Sequence, residues 1–176
     1  DSGGISLKPS DPMHLLMKMD MGGAAAVPGA FTALRDSGAT AKVTGWLMCT
    51  DNMPSGTSYK LGDVLVARNG TTVEVKNTDA EGRLVMMDAI ALANEDGVDA
   101  IIDIATLTGA ALVALGESIA PVLGTSQPLV DQLIERGERD AGELPDVDHD
   151  VTTATDVAVH DVETGAVVEL RVLEAF

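Results

Sequence analysis

The octapeptide Asn77-Thr78-Asp79-Ala80-Glu81-Gly82-Arg83-Leu84 places two carboxylates and a guanidinium within five residues, between a β-rich segment and a strong helical pattern. In extended backbone Asp79 and Glu81, two positions apart, leave on the same face. Two hard oxygen donors on one face can hold a metal ion, and Arg83 adds a cation beside them. Gly82 removes a side chain where the chain turns into the helix. The plainer reading is an acidic loop that caps the helix beginning near Gly82.

The surrounding pattern reads as an α/β layer architecture. Upstream, Asp63 to Ala67 and Thr71 to Val75 flank Asn69-Gly70, a hairpin signature that delivers the chain to Asp79. Downstream, Leu84 to Asn94 is a helix that Gly97 ends. Asp99 to Leu107, with Ile101, Ile102, Ile104 and Ala105, suits a central parallel strand covered on both sides. Thr106 to Ala110 follows at its carboxyl end, where α/β sheets bind ligands. Ala110 to Leu115 is a short apolar segment, Gly116 breaks it, Ile119 to Leu123 suits a strand, and Pro128 to Arg136 a helix closing near Gly137. The expected fold is α/β, with a mostly parallel or mixed sheet and helices on both faces.

Nearer the amino end, Asp1 to Asp11 reads as a loop, with Gly3-Gly4 allowing a tight bend. Asp11 suits a helix cap with Pro12 in the first turn. Met13 to Leu34 is apolar at helical spacing, and Pro28 is expected to kink or interrupt it. Lys42 to Thr50 reads as a strand with Cys49 as a small core residue, and Asp51 to Gly56 as a loop. Asp146 to Asp161 is rich in Asp. A solvated acidic segment suits it better than a metal site built from Asp148, His149, Asp150 and Asp156. Val167 to Phe176 fits a terminal strand or a short helix.

The 176 residues are enough for one domain with a real core, and 45% apolar content argues against disorder. A net charge of −17, from 28 acids against 11 Lys plus Arg, disfavours nucleic acid and anionic membranes as partners. With Cys49 as the single cysteine there is neither an internal disulfide nor a thiolate metal cluster. The sequence shows no signal peptide and no 18-residue apolar span, which fits a reducing, cytoplasmic compartment. Because the sequence opens at Asp1 and not at Met, upstream sequence is expected to be missing.

A carboxylate buried in a helix is costly without a partner or a metal, which singles out Asp20; its duller role is a partly exposed cap. Asp1, Asp20, Asp79 and Glu81 together form an all-oxygen donor set suited to Zn²⁺, Mn²⁺ or Mg²⁺. Four carboxylates suit two ions better than one. Lys8 and Arg83 could supply positive charge where negative charge develops; the duller role for Lys8 is an exposed surface lysine. The methionines read as core or pocket wall and not as soft metal ligands. Neither GxGxxG nor GxxxxGK[ST] occurs, which argues against a nucleotide enzyme.

With these residues in place the chain resembles the leucyl aminopeptidase (M17, cytosol aminopeptidase) family. The signature at Asn77 to Leu84 carries the resemblance, together with Asp1-Ser2-Gly3-Gly4-Ile5-Ser6-Leu7-Lys8-Pro9 and Met17-Lys18-Met19-Asp20-Met21-Gly22-Gly23-Ala24-Ala25-Ala26. Asp51 to Gly56 and Asp103 to Ala110 match as well, so coverage is nearly continuous from Asp1 to about Gly137. The resemblance implies an α/β catalytic domain, residues 1–140, followed by a shortened acidic portion, 141–176. It implies a metal-dependent aminopeptidase with two divalent ions. Asp1 would serve both ions, Asp20 and Asp79 one each, and Glu81 would bridge them. Lys8 resembles the lysine that polarises the peptide carbonyl, and Arg83 the arginine that holds a bicarbonate ion as proton relay. Met17, Asn77, Thr106, Leu107 and Gly109 resemble substrate-pocket positions. The implied partners are peptides with a free amino terminus, whose α-amino group binds a metal, and further copies of the chain in a homohexamer.

The sequence departs from the family in four places. It starts too late to contain the metal-binding lysine that the family places five residues before the position of Asp1. The family's amino-terminal domain is expected to lie outside this sequence. The spacing from Asp1 to Asp20 is one residue longer, with Leu15-Leu16 as the extra step. After Gly137 tens of residues are expected to be missing before an ending whose Thr164-Gly165 and Val168 to Phe176 resemble the family's last residues. Two other classes therefore compete with an active peptidase: an inactive fragment or homologue with a structural or oligomer-forming role, and a metal-dependent phosphoesterase using a similar carboxylate cluster.

Overall fold

The computed structural model describes residues 1–116, 119–141, 156–161 and 169–170, with side chains described through residue 137. Its elements run α1 (Asp11–Leu16), a 3₁₀ turn (Met17–Met19), α2 (Gly22–Leu34), β1 (Val64–Val66), β2 (Thr72–Glu74), α3 (Glu81–Glu95), β3 (Ala100–Ala105), α4 (Ala110–Leu115), β4 (Val122–Gly124), α5 (Gln127–Ala141), β5 (Asp156–Asp161) and β6 (Glu169–Leu170).

The main sheet is mixed, in the order β4-β5-β3-β6. β3 pairs antiparallel with β5 in a register from Ala100↔Asp161 to Ala105↔Asp156, and parallel with β6 through Ile101↔Glu169 and Ile102↔Leu170. β4 runs parallel to β5. β3 is the strand on which the core is built: five of its six residues are buried. Successive side chains alternate between faces. Ala105 packs with Met86 and Ala89 of α3, joined by Trp46, Met48, Ile90 and Leu107. On the opposite face Ile102 packs with Val130 of α5, joined by Val122, Leu129 and Leu133. Helices thus cover both faces of β3, and burying Ile101 and Ile102 alone contributes about 3–6 kcal/mol.

The hairpin forms as expected. Val64↔Glu74 and Val66↔Thr72 frame the ladder, and Gly70 adopts φ +85°. Ala67 accepts from Gly70 N and donates to Thr71, a three-residue turn closed by a left-handed glycine. Arg68 in that turn ties the hairpin to α3: its N–H donates to Asp88 and its guanidinium pairs with Glu95 at 2.8 Å. The hairpin therefore fixes the approach to the Asn77–Leu84 segment.

Several local expectations are corrected. Ser10, not Asp11, caps α1, its Oγ accepting from Met13 N. The apolar helix breaks at Met17–Met21 and runs through Pro28, which is exposed. Asp20 leaves helical geometry at ψ 39° while its carboxylate accepts from Thr106, just past the end of β3, so a tertiary contact decides where the helix ends. Lys42–Thr50 is assigned no strand among the described residues, although Trp46 and Met48 turn inward while Leu47 and Cys49 face outward. Cys49 is exposed, not a core residue. α5 continues past Gly137, a cost of about 1 kcal/mol relative to Ala that the helix absorbs. Asp156–Asp161, read as part of a solvated segment, forms an inner strand; Asp148, His149 and Asp150 lie outside the described residues, as does most of Val167–Phe176. Among the described residues no helix is long and apolar enough to cross a membrane.

Candidate active site

Two loops distant in sequence are stapled together beside the carboxyl end of β3. Thr78, fully buried, carries the staple: its Oγ1 donates to Gly3 O at 2.6 Å and accepts from Ser6 N at 2.7 Å, while its N–H donates to Ser6 Oγ at 3.1 Å. Gly3 and Gly4 sit at φ +89° and +62°, and a Cβ on Gly4 would stand 2.8 Å from Asn52 Oδ1. Only glycine fits there without displacement. The bend turns Asp1 and Lys8 toward the Asp79–Glu81 segment.

The plainer reading of the signature, an acidic cap, does not describe Asp79. α3 begins at Glu81 with Ala80 as its cap, and no side chain bonds its first N–H groups from that position. Asp79 instead faces Lys8, whose Nζ lies 2.7 Å from Asp79 Oδ1 and 2.9 Å from Asp1 Oδ2. Lys8 is thus no surface lysine; its side chain is 11% exposed. Asp1, Asp79 and Glu81 each offer a carboxylate oxygen within 4.8 Å of the other two. Asp20 is buried and lies outside that triad. It is close enough that its charge, with that of Asp79, helps push the Glu81 carboxyl above its ordinary range. Burial is the main cause of that rise, and Glu81's own N–H and Lys8 oppose it.

A cavity of about 550 Å³ opens over these groups. Every residue singled out in the sequence borders it: Asp1, Lys8, Met17, Asp20, Asn77, Asp79, Glu81, Arg83, Thr106, Leu107 and Gly109. Arg83 is exposed at its rim. Met13, Leu16, Met19 and Leu112 add apolar wall. The donor set fits divalent cations. Four carboxylates against the cations of Lys8 and Arg83 leave the cavity net negative when all are ionised, and every donor is a hard oxygen.

Two residues of the site were not singled out in the sequence. Asn52 enters the sequence reading only within Asp51–Gly56, a loop that shares in the family resemblance, with no role of its own; it is buried at φ 42°, a left-handed conformation that Asn tolerates better than most residues. Its Nδ2 lies 2.8 Å from Asp1 Oδ1, 2.7 Å from Glu81 Oε2 and 3.0 Å from Thr78 O. Tyr59 donates its hydroxyl to Thr78 O at 2.5 Å. Burial, with the charges of Glu81 and Asp79 adding to it, pushes the Tyr59 hydroxyl up to about 12, so it stays a donor. No local periodicity marks either residue; the hint for Asn52 is its place in the Asp51–Gly56 segment that shares in the family resemblance.

The catalytic-domain model of the cytosol aminopeptidase family matches residues 1–166. Relatives named as probable cytosol aminopeptidases include one from Nitrosomonas eutropha, 48% identical over 139 residues, covering 79% of this chain and 28% of the relative. One from Clavibacter michiganensis is 52% identical over 141 residues, covering 78% and 28%. One from Chlorobaculum tepidum is 45% identical over 186 residues, covering all of this chain and 36% of the relative. The chain therefore spans about a third of the length of the curated relatives it matches.

Proposed function

Since the chain belongs to the cytosol aminopeptidase family, we propose that it carries the catalytic domain of a metal-dependent aminopeptidase that releases amino-terminal residues, Leu-like ones included, from peptides. The observation that carries this reading is the convergence of Asp1, Asp79 and Glu81 within 4.8 Å, with Lys8 between two of them and Asp20 lining the same cavity. In this reading residues 1–140 are the catalytic core and 141–176 its carboxyl-terminal portion.

Asp1, Asp20, Asp79 and Glu81 would hold two divalent ions, Zn²⁺ or Mn²⁺, with Mg²⁺ also compatible with oxygen donors. The chemistry such a pair supplies is an activated water and a polarised carbonyl. Lys8 Nζ, held among the carboxylates, would supply a cation for the carbonyl oxygen as it gains negative charge. Arg83 at the rim is the residue suited to hold a bicarbonate ion as proton relay. Met17 and Leu107, with Met13, Leu16 and Leu112, form a wall for an apolar side chain, and methionine adapts to more than one shape. Asn77, Thr106 and Gly109 border the same space and would orient the substrate backbone. A free α-amino group binding a metal explains an exopeptidase, because an internal peptide bond offers no such amine. The full-length protein is then a cytoplasmic enzyme, a homohexamer like its family, acting on peptides and not on nucleic acid or membranes.

The test is hydrolysis of leucyl-anilide by the purified chain with Zn²⁺ or Mn²⁺ and bicarbonate, against the N-acetylated analogue. Cleavage of the free-amine substrate alone, abolished by Asp79→Ala, is the expected result. Cleavage of neither by folded, metal-loaded protein would favour a structural role for this segment.

A further inference from the structure

Asn52 holds a position that the proposed chemistry leaves unused. Its side-chain nitrogen has two protons and three acceptors within 3.0 Å: Asp1 Oδ1, Glu81 Oε2 and Thr78 O. An amide oxygen there would face two carboxylates and a carbonyl, so only the nitrogen fits. The two carboxylate contacts, at 2.8 and 2.7 Å, are the shorter ones. Thr78 O has a second donor, the Tyr59 hydroxyl at 2.5 Å. The proton count therefore closes: Tyr59 satisfies the Thr78 carbonyl, and both amide protons go to the two carboxylates.

The backbone of Asn52 joins the same two loops. Its carbonyl accepts from Gly4 N at 3.1 Å and from Ser2 Oγ at 2.7 Å. Asp1 is consequently held on both oxygens, Oδ1 by Gly3 N and Asn52 and Oδ2 by Lys8. In Glu81, which borders the cavity, the amide takes up Oε2.

We propose that Asn52 is a positioning residue for the metal centre, its amide clamping Asp1 and Glu81 in their ion-binding arrangement, with Tyr59 freeing both amide protons for that task. The inference rests on the metal-site reading above. It concerns the set of the ligands and requires no turnover.

The test is the affinity of the whole chain for Mn²⁺ or Co²⁺ by titration calorimetry, with the Co²⁺ visible spectrum as a report on coordination geometry. Asn52→Gly is the sharpest variant, because glycine keeps the φ of 42° without strain and removes only the side chain. Its affinity for the first ion is expected to fall about 10–100-fold, as when other partners of metal ligands are removed, with an altered Co²⁺ spectrum and an unchanged far-ultraviolet circular dichroism. Tyr59→Phe leaves the third acceptor to compete for the amide and is expected to weaken binding about 2- to 10-fold. Asn52→Gly that folds and binds as tightly as the parent chain, with the same spectrum, overturns the proposal. If Asn52→Gly does not fold, unchanged affinity in Tyr59→Phe overturns it. A parent chain that binds neither ion overturns both the proposal and the metal-site reading, whereas tight binding without peptidase activity leaves Asn52's role intact.

Discussion

Replacing Thr78 by valine tests whether hydrogen bonds, and not packing, hold the Asp1–Lys8 loop on the signature segment. Valine has nearly the shape of threonine but exchanges Oγ1 for a methyl group. Two bonds are lost, the donation to Gly3 O at 2.6 Å and the acceptance from Ser6 N at 2.7 Å, in a residue with no solvent exposure. A buried partner left unsatisfied costs about 1–3 kcal/mol. Gly3 is buried and Ser6 only half-buried, so a total of about 2–4 kcal/mol follows. For a chain of this size that lowers the melting temperature by about 4–16 °C. Serine is the opposing control: it keeps both bonds and loses one buried methyl, worth about 1 kcal/mol. Urea unfolding followed by circular dichroism should rank Thr78→Val as clearly less stable than Thr78→Ser. The reverse ranking would refute the hydrogen-bond account, because it would mean the methyl matters more than the hydroxyl.

Lys8→Met removes the ammonium between Asp1 and Asp79 and leaves mostly buried carboxylates facing one another, a loss of about 2–4 kcal/mol given that the Asp79 side chain is 30% exposed. In thermal melts, saturating Mn²⁺ should raise the midpoint of Lys8→Met more than that of the parent chain; an equal rise would contradict the charge-balance argument. Gly70→Ala should cost about 1–2 kcal/mol through its φ of +85° alone, since a Cβ there meets open space, and should leave Mn²⁺ affinity unchanged in the same titration.

The fold was legible where its determinants are local. The run Ile101-Ile102 with Ile104-Ala105 suits a strand buried on both faces, which forms in a mixed and not a parallel setting, and Asn69-Gly70 between β-rich runs signals the hairpin that forms. It was illegible where tertiary contacts override local preference. Pro28 is the strongest helix breaker between Met13 and Leu34, yet the break falls at Met17–Met21, where Asp20 reaches Thr106 across 86 positions. Asp156–Asp161 looked solvated because flanking acids dilute a Val-Ala-Val alternation, whereas its pairing with β3 depends on a neighbour about fifty residues away.

The site divides along the same line. Carboxylate and ammonium groups state what they can do wherever they stand, so Asp1, Lys8, Asp20, Asp79 and Glu81 could be nominated from residue type, whereas Met17, Asn77, Thr106, Leu107 and Gly109 came only with the family resemblance; the fold gathers them around one cavity. Neutral hydrogen-bonding groups carry no such label. Asn52 and Tyr59 matter only through the atoms they meet, Asp1 Oδ1, Glu81 Oε2 and Thr78 O, and those meetings span 51, 29, 26 and 19 positions. An asparagine in a loop is ordinarily a turn residue. Here its left-handed backbone aims a donor at two anions, and the same backbone carbonyl anchors the glycine bend that presents one of them. The groups able to hold a metal are therefore written in composition, while the groups that set their geometry are written only in the closure of three loops.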